Sequence, residues 1–408
     1  MAKPAFKVEL AFNDKAPGNF FTLGDATKGV LGNTTYVLQP GTVFYDVSQY
    51  VMAIQVSRGK SRALDRYQAG HVNVVFNNRN RYFDPTYTAS PFYGQIVPRR
   101  DMKVWANGRM VGYFTVDDWN LDYQPNGDNT ATVSANDAFA FLSQQTLTAG
   151  TYSSQLSGAR VTAVLADPSV NWAFGSSIDA GAETLQGDTV TANDNVLQYL
   201  QLIESSEPGE LFMAKDGSLA FQARTRLYPS ASAPVLADDG SGIKYSQVKV
   251  VYGSELLYTQ AELTRKGSST VVQANDTAAQ VTYGIRTLSQ TGLLNNTDAA
   301  VTDLATYTVG QYSQPEYRFD AVEVIVSQQT TANQNVLLDL DLGSVCKVVF
   351  TPNGVGSAIV KYAKIISINH NVDLIEHRMS IGLGTLTATA FQLDDVAFGN
   401  LDYNNLGY

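Results

Sequence analysis

The sequence predicts a mainly β fold with a smaller α/β part, and three observations carry that prediction. Apolar residues alternate with period two over most of the chain: Tyr50, Met52, Ile54 and Val56 form one face, with Gln55 and Ser57 on the other. The same alternation runs through Val72, Val74 and Phe76, through Val322, Val324 and Val326, and through Met379, Ile381 and Leu383. Between these runs stand Pro40-Gly41, Asn107-Gly108, Asn126-Gly127, Asp216-Gly217, Asp239-Gly240 and Asn353-Gly354, pairs that supply the left-handed positions of tight turns. Helical patterns, the third observation, are few.

Four segments read as helices. Residues 159–166 follow Ser157 as a cap and stop before Pro168, and a short helix covers Asp137–Leu142. Asp194–Ser206 sets Val196, Leu197, Leu200 and Ile203 on one stripe and ends before Pro208. Asp298–Tyr312 does the same with Val301, Leu304 and Thr308. A duplication is also legible. Residues 98–137 and 342–384 each begin with a short Lys-Val strand and an Asn-Gly turn, then run through a long strand, a turn and an alternating return strand. Each is preceded by an apolar strand and a loop, 71–97 and 319–341. The expected organisation is a β-barrel-type domain at 1–147, an inserted α/β domain at 148–228 and a connecting stretch at 229–315 that opens on a linker at 229–242. A second, related β-barrel-type domain at 316–390 and a tail at 391–408 follow.

Composition narrows the function. The 408 residues carry Lys+Arg 28 against Asp+Glu 38, a formal charge of −10, and only 16% are charged. Globular proteins average roughly 25% charged residues, so this surface is built from uncharged polar groups. The acidic balance argues against stable nucleic-acid binding. The opening MAKPAFKVELAF reads as no secretory leader, and no stretch has the length of a membrane span.

Chemistry-bearing residues are sparse. Three histidines, His71, His370 and His377, and one cysteine, Cys346, leave little for nucleophilic catalysis or a metal site, and no Ser lies in a nucleophile elbow. His370 and His377 flank the turn NVDLIE and are placed to face each other across a hairpin. Cys346 reads as a buried strand residue. The carboxylate doublets Asp117-Asp118, Asp238-Asp239 and Asp394-Asp395 are poor catalytic pairs, because neighbours on a strand point to opposite faces and turn carboxylates are solvated. No catalytic, cofactor or metal residue is expected.

The most specific stretch is 58–93, RGKSRALDRYQAGHVNVVFNNRNRYFDPTYTASPFYG. Its Leu64, Asp65, Arg66, Tyr67, Ala69, Gly70, Asn78, Arg79, Phe83, Asp84 and Pro85 occur in the order of a motif of tail hub proteins, also called minor tail proteins, of long non-contractile-tailed phages, especially those of actinobacteria. The segments 205–224 and 276–312 also resemble that family, so the likeness covers most of residues 40–390.

The resemblance implies a structural virion protein at the tail tip, assembled in the host bacterial cytoplasm. Three copies, each with two related barrels, would present six similar barrels to the sixfold tube. Implied partners are further copies of the chain, a distal tail or tail tube protein, and a central fibre or other tip protein, without a cofactor or enzymatic activity. The motif residues are then structural or interface candidates. Two alternatives stay open: a distal tail or receptor-binding component gripping glycan with Trp119, Trp172 and Tyr123, and a glycoside hydrolase acting on host wall.

Overall fold

Alternating strands closed by Asx-Gly turns zip into antiparallel ladders, and most of the chain follows that rule. The structure is a computed structural model that describes residues 2–12, 43–125, 127–170, 172–226 and 233–386, with a few single positions between 24 and 32. Pro40-Gly41, Asn126, Asp394-Asp395, the tail at 391–408 and most of the first forty residues lie outside the described residues.

The first unit contains β1 (Phe6–Ala11), β2 (Phe44–Asp46), β3 (Val51–Gly59), β4 (Gln68–Asn77), β5 (Asp101–Ala106), β6 (Arg109–Asp122) and β7 (Thr130–Asn136), followed by helix α1 (Ala138–Ser143). Their order in the sheet is β3-β4-β7-β6-β5-β1-β2. Asn107 and Gly108 both have positive φ, 48° and 74°, which closes the two-residue β5–β6 hairpin with the twist its strands need. Val72, Val74 and Phe76 of β4 are fully buried with Val104, Val116 and Val133 in one core. Met52 departs from the expected face. A bulge between Val51 and Ala53 interrupts the β3–β4 register and leaves Met52 38% exposed, while Ile54 and Val56 point inward.

An α/β insertion follows. It holds β8 (Gly150–Tyr152), β9 (Gln155–Leu156), α2 (Ser157–Leu165), β10 (Ser176–Ile178), β11 (Thr184–Leu185), β12 (Asp188–Val190), α3 (Val196–Ser206), β13 (Glu210–Met213) and β14 (Leu219–Gln222). One cap differs from expectation. Ser157 is the first residue of α2 and caps nothing; its hydroxyl donates to the buried Glu207 carboxylate instead. Asn195 caps α3 by accepting from the Gln198 N–H.

The remaining elements are β15 (Val235–Ala237), β16 (Gln247–Tyr252), β17 (Gln260–Arg265), β18 (Val272–Asn275), α4 (Thr277–Tyr283), β19 (Thr287–Leu293), α5 (Asp298–Tyr312), β20 (Tyr317–Ile325), α6 (Thr331–Asp339), β21 (Val345–Phe350), β22 (Ile359–Val372) and β23 (His377–Thr385). Strand β15 falls inside the stretch read as a linker, because residues 235–237 pair in parallel with β21 and thereby gain backbone partners. Helix α5 covers one face of the small sheet β18-β17-β19 through Val301, Leu304 and Ala305. Helices α4 and α6 were not legible; each is short and starts from a side-chain cap, Asp276 or Thr330, rather than from an apolar stripe.

The second unit repeats the first. Its order β16-β20-β23-β22-β21 matches β3-β4-β7-β6-β5 strand for strand, with antiparallel pairing throughout. Both long strands, β6 and β22, are 14 residues and carry a register shift near the middle, after Val116 and after Ile365. These are the segments whose sequence similarity predicted a duplication. No ladder closes either unit into a barrel among the described residues; the units share one 13-stranded sheet.

They are joined at β22. Its first half pairs with β21, and past the bulge its second half, Ser367–Val372, pairs with Ile54–Gly59 of β3. Gly59 sits at the splice with φ +120°, and a Cβ there would stand 2.2 Å from the Ile366 carbonyl oxygen. Gly59→Ala is therefore expected to lower the unfolding free energy by roughly 2–4 kcal/mol, from unfavourable φ and a backbone clash. A urea-denaturation midpoint matching the parent would show that the splice tolerates a side chain.

Candidate functional site

The eleven motif residues divide into two groups, and β3, β4 and the loops after them decide which is which. Tyr67, Gly70, Asn78, Phe83 and Asp84 are buried. Phe83 stacks on Phe76 at 4.6 Å between ring centroids, and the Asn78 side chain accepts from the Phe83 N–H at 3.0 Å. Asp84 accepts from Arg81 at 2.7 Å, from the Thr86 hydroxyl at 2.6 Å and from the Tyr123 hydroxyl at 2.5 Å, which together hold its carboxyl well below the usual range. Leu64, Asp65, Arg66, Ala69, Arg79 and Pro85 are exposed. Arg79 pairs with Asp128, and Arg66 donates to the Ser205 hydroxyl of α3 at 3.0 Å. The motif thus builds a loop floor and displays a rim.

Arg58 is in β3 and only 5% exposed. One guanidinium nitrogen donates to the Met213 carbonyl of the insertion at 2.8 Å and to Asp341, ahead of β21, at 2.8 Å. The other oxygen of Asp341 accepts from the Lys215 N–H at 2.8 Å, and the Lys215 ammonium donates to the Leu338 and Asp339 carbonyls at the end of α6. Both units and the insertion therefore meet on one buried cation. Beside it Asp137 caps α1 and accepts from the Gly70 N–H at 2.6 Å; burial pushes its carboxyl up to about 7. Gly70 has no room for a side chain, since a Cβ would lie 2.5 Å from that carboxylate.

A cleft of about 890 Å³ opens next to this knot, between the motif rim, the insertion, the small sheet with α5, and the second unit. Glu210 is its central carboxylate. It accepts from Lys60 at 3.3 Å, from Lys364 at 2.9 Å and from the Tyr67 hydroxyl at 3.3 Å. Burial raises its pKa, but the two ammonium groups outweigh that and hold it below its usual range. Glu204, in the last turn of α3, is 7% exposed; its Oε1 accepts from the Leu211 N–H at 3.0 Å, and its Oε2 has no partner. Burial, reinforced by the nearby Glu210 charge, pushes Glu204 up to about 7. Sequence reasoning missed both carboxylates, because Tyr67, Glu204, Glu210 and Lys364 converge only through the tertiary fold.

The other candidates resolve into packing. His370 Nδ1 and His377 Nε2 are 3.0 Å apart across the β22–β23 hairpin, both buried, and the His377 ring packs T-shaped with that of Phe6. Burial lowers both, His377 to about 3, so the pair is neutral. Cys346 is buried in β21 and its thiol is pushed up to about 12. No group of three metal-ligating side chains occurs among the described residues. Asp117 accepts from Asn136, Asp238 from the Thr351 N–H and Asp239 from the Ser241 N–H, so neither described doublet forms a facing pair. Trp119 stacks near Phe83 and donates to the Val97 carbonyl, Trp172 packs on Phe174, and the Tyr123 hydroxyl is held by Asp84. The three aromatics make no common platform.

The buried acid has a measurable signature. Folded, Glu204 keeps its proton up to about pH 7, whereas the unfolded carboxyl releases it near 4.5. The folded state binds the extra proton in that window, so this group makes stability fall as pH rises from about 5 to 7. His370 and His377 act oppositely below their ordinary 6.5, where only the unfolded chain takes up protons. Glu204→Gln, which mimics the protonated acid, is expected to gain on the parent by on the order of 2 kcal/mol between pH 5 and 7. Parallel urea titrations at both pH values measure this, and a pH-independent difference would contradict the raised pKa.

No family model matches the chain, and no curated protein matches its sequence. Solved structures do resemble it. The 43 kDa tail protein of prophage MuSo2 from Shewanella oneidensis superposes with a TM-score of 0.55 at 14% identity, covering 85% of this chain and 94% of that one. A tail protein from Neisseria meningitidis MC58 gives a TM-score of 0.59 at 11% identity over 93% of this chain and 96% of that one. From the first β unit through the insertion to the second, this chain has the fold of those tail proteins.

Proposed function

We propose that the protein is a structural virion component, a tail hub that forms a trimeric ring at the distal end of a phage tail tube. The observation that carries this reading is the combination of a fold match to tail proteins over 85% and 93% of the chain with two β units of identical strand order in one chain. Three copies supply six similar units, which reconciles a threefold tip with a sixfold tube. Joined in one sheet, the two units keep a fixed spacing within each subunit, as a ring requires. Its partners are two further copies, the tube or a distal tail protein on one side, and tip proteins on the other. The exposed motif residues Leu64, Asp65, Arg66, Ala69, Arg79 and Pro85 are assigned to subunit or tail contacts, and no catalytic role is assigned. Low charge and a surface of uncharged polar groups suit wet interfaces of this kind.

A second feature supports docking at the tip. The two units differ at corresponding hairpins: the β22–β23 turn exposes the aliphatic Leu374 and Ile375 at 67% and 86%, whereas the β6–β7 connection exposes Tyr123, whose hydroxyl Asp84 holds. Equivalent positions around the ring would then alternate in character.

Native mass measurement under assembly conditions is expected to give three chains per particle, and a stable monomer throughout would overturn the hub reading. Reconstruction of a tail tip should place the three copies coaxial with the tube. Hydrolysis of host wall glycan, abolished by a single Asp or Glu substitution, would overturn the structural assignment.

A further inference from the structure

The splice between β22 and β3 has a counterpart that a single copy of the chain leaves open. Strand β6 repeats β22 down to its bulge: Val116 pairs with Ala135 and Asp118 with Ser134, as Ile365 pairs with Leu383 and Ser367 with Gly382. Past the bulge, Ser367–Val372 of β22 pair with β3. The matching edge of β6, from Asp118 onward, has no ladder partner among the described residues, because β5 and its lead-in pair no further than Val116. Strand β16, the equivalent of β3, ends the sheet, and its outer edge is equally unpaired among those residues. We propose that β16 of one copy pairs antiparallel with the second half of β6 in the next copy, repeating the β22–β3 splice between subunits.

The internal splice sets the register. Val74 and Val322 are buried at matching places on β4 and β20, and they face Ile54 and Val248. Counting on from there, Gly253 takes the place of Gly59. Carrying over the β22–β3 partners sets Tyr123 against Val248, Leu121 against Val250 and Trp119 against Tyr252 on the core side. On the other side Asp122 meets Lys249, Asn120 meets Val251 and Asp118 meets Gly253.

Three observations select a second copy as the occupant. All three core-side pairs are apolar or aromatic. At the closed splice Ile54, Val56, Ile368 and Val372 are buried, whereas at the open edges Val248, Val250, Trp119 and Leu121 are half-buried and Tyr123 and Tyr252 are exposed. Joining the edges completes the burial of both cores. Next, Asp122 and Lys249 place opposite charges directly across the seam. Lys249 is exposed and already pairs with Asp320 of β20 at 2.5 Å, so its ammonium would bridge two carboxylates. Last, the glycine of the splice recurs. Nothing within one copy requires Gly253: its φ is not positive, and a Cβ there would meet only Val251, at 3.9 Å. An unrelated peptide strand would share the backbone bonds but not these side-chain matches.

The two edges differ, so the contact is head-to-tail and closes a ring instead of a twofold pair. A ring of three follows from the hub reading, on which this pairing rests.

Disulfide trapping on the full chain tests the seam. The Lys60 N–H donates to the Ile366 carbonyl at 2.9 Å, which makes Asn369–Ser57 a non-hydrogen-bonded pair with closely spaced side chains. Asn120 and Val251 are its equivalents, and six strands separate theirs within a chain, so a bridge must join two copies. Asn120→Cys with Val251→Cys is expected to give covalent species up to the trimer on mild oxidation. Asn120→Cys with Gln247→Cys, about 14 Å out of register, should not. Cys346 is buried and stays out of the reaction. Tyr252→Glu, at a position 67% exposed in one copy, should fold normally yet raise the concentration needed for assembly roughly tenfold or more. A trimeric mass without the Asn120–Val251 crosslink, equal trapping through Gln247, or assembly indifferent to Tyr252→Glu would overturn the seam and leave the hub reading standing. Efficient trapping in particles other than trimers would uphold the seam and overturn the hub reading. A monomer throughout would overturn both.

Discussion

Everything in the architecture depends on one splice, the pairing of the second half of β22 with β3. The bulge after Ile365 lets a single strand serve two neighbours on the same side, β21 before it and β3 after it. Without that shift the two units would be separate sheets on a tether. Gly59 permits the close approach, and Arg58, the residue before it, turns inward to tie the insertion and Asp341 to the same spot. Burying a guanidinium is tolerable only because carbonyls and a carboxylate meet it, so the junction is specified by geometry rather than by apolar area.

The two units share a strand order but not their surroundings. The first unit has its own apolar core, whereas the core of the second is continuous with that of the insertion, through Leu211, Phe212 and Phe221 on one side and Val322, Ile365 and Ile381 on the other. The insertion is thus half of a joint core, although it enters the chain between the units. Tyr67, from the motif loop of the first unit, belongs to that joint core and also reaches Glu210. The 64–70 half of the motif thus lies where the three bodies converge, while the 78–85 half packs within the first unit.

Strands were legible because alternation and Asx-Gly turns act locally, as at Val72–Phe76 and Asn107-Gly108. The duplication was legible because β6 and β22 keep the same length and turn chemistry despite few identities. Met52 was misread because a bulge shifts phase without a mark in the hydrophobic pattern. Strand β15 was hidden by its Pro- and Ser-rich flank, its parallel partner lying more than a hundred residues away. The cleft was illegible for the same reason. Glu204 and Glu210 stand six residues apart in ESSEPGE, whose spacing carries no catalytic pattern, and only the tertiary fold brings Lys60, Lys364 and Tyr67 to Glu210.

The splice also sets how the molecule bears load. Ladder hydrogen bonds run perpendicular to their strands, so a pull along β3 and β22 in opposite directions strains the whole paired segment at once, as a lap joint carries shear. A pull across the sheet would instead open it bond by bond, like a zipper. A hub strung between a tube and a fibre along the strand direction would therefore use the strong axis of its own seam, with the Arg58 contacts as a rivet at one end.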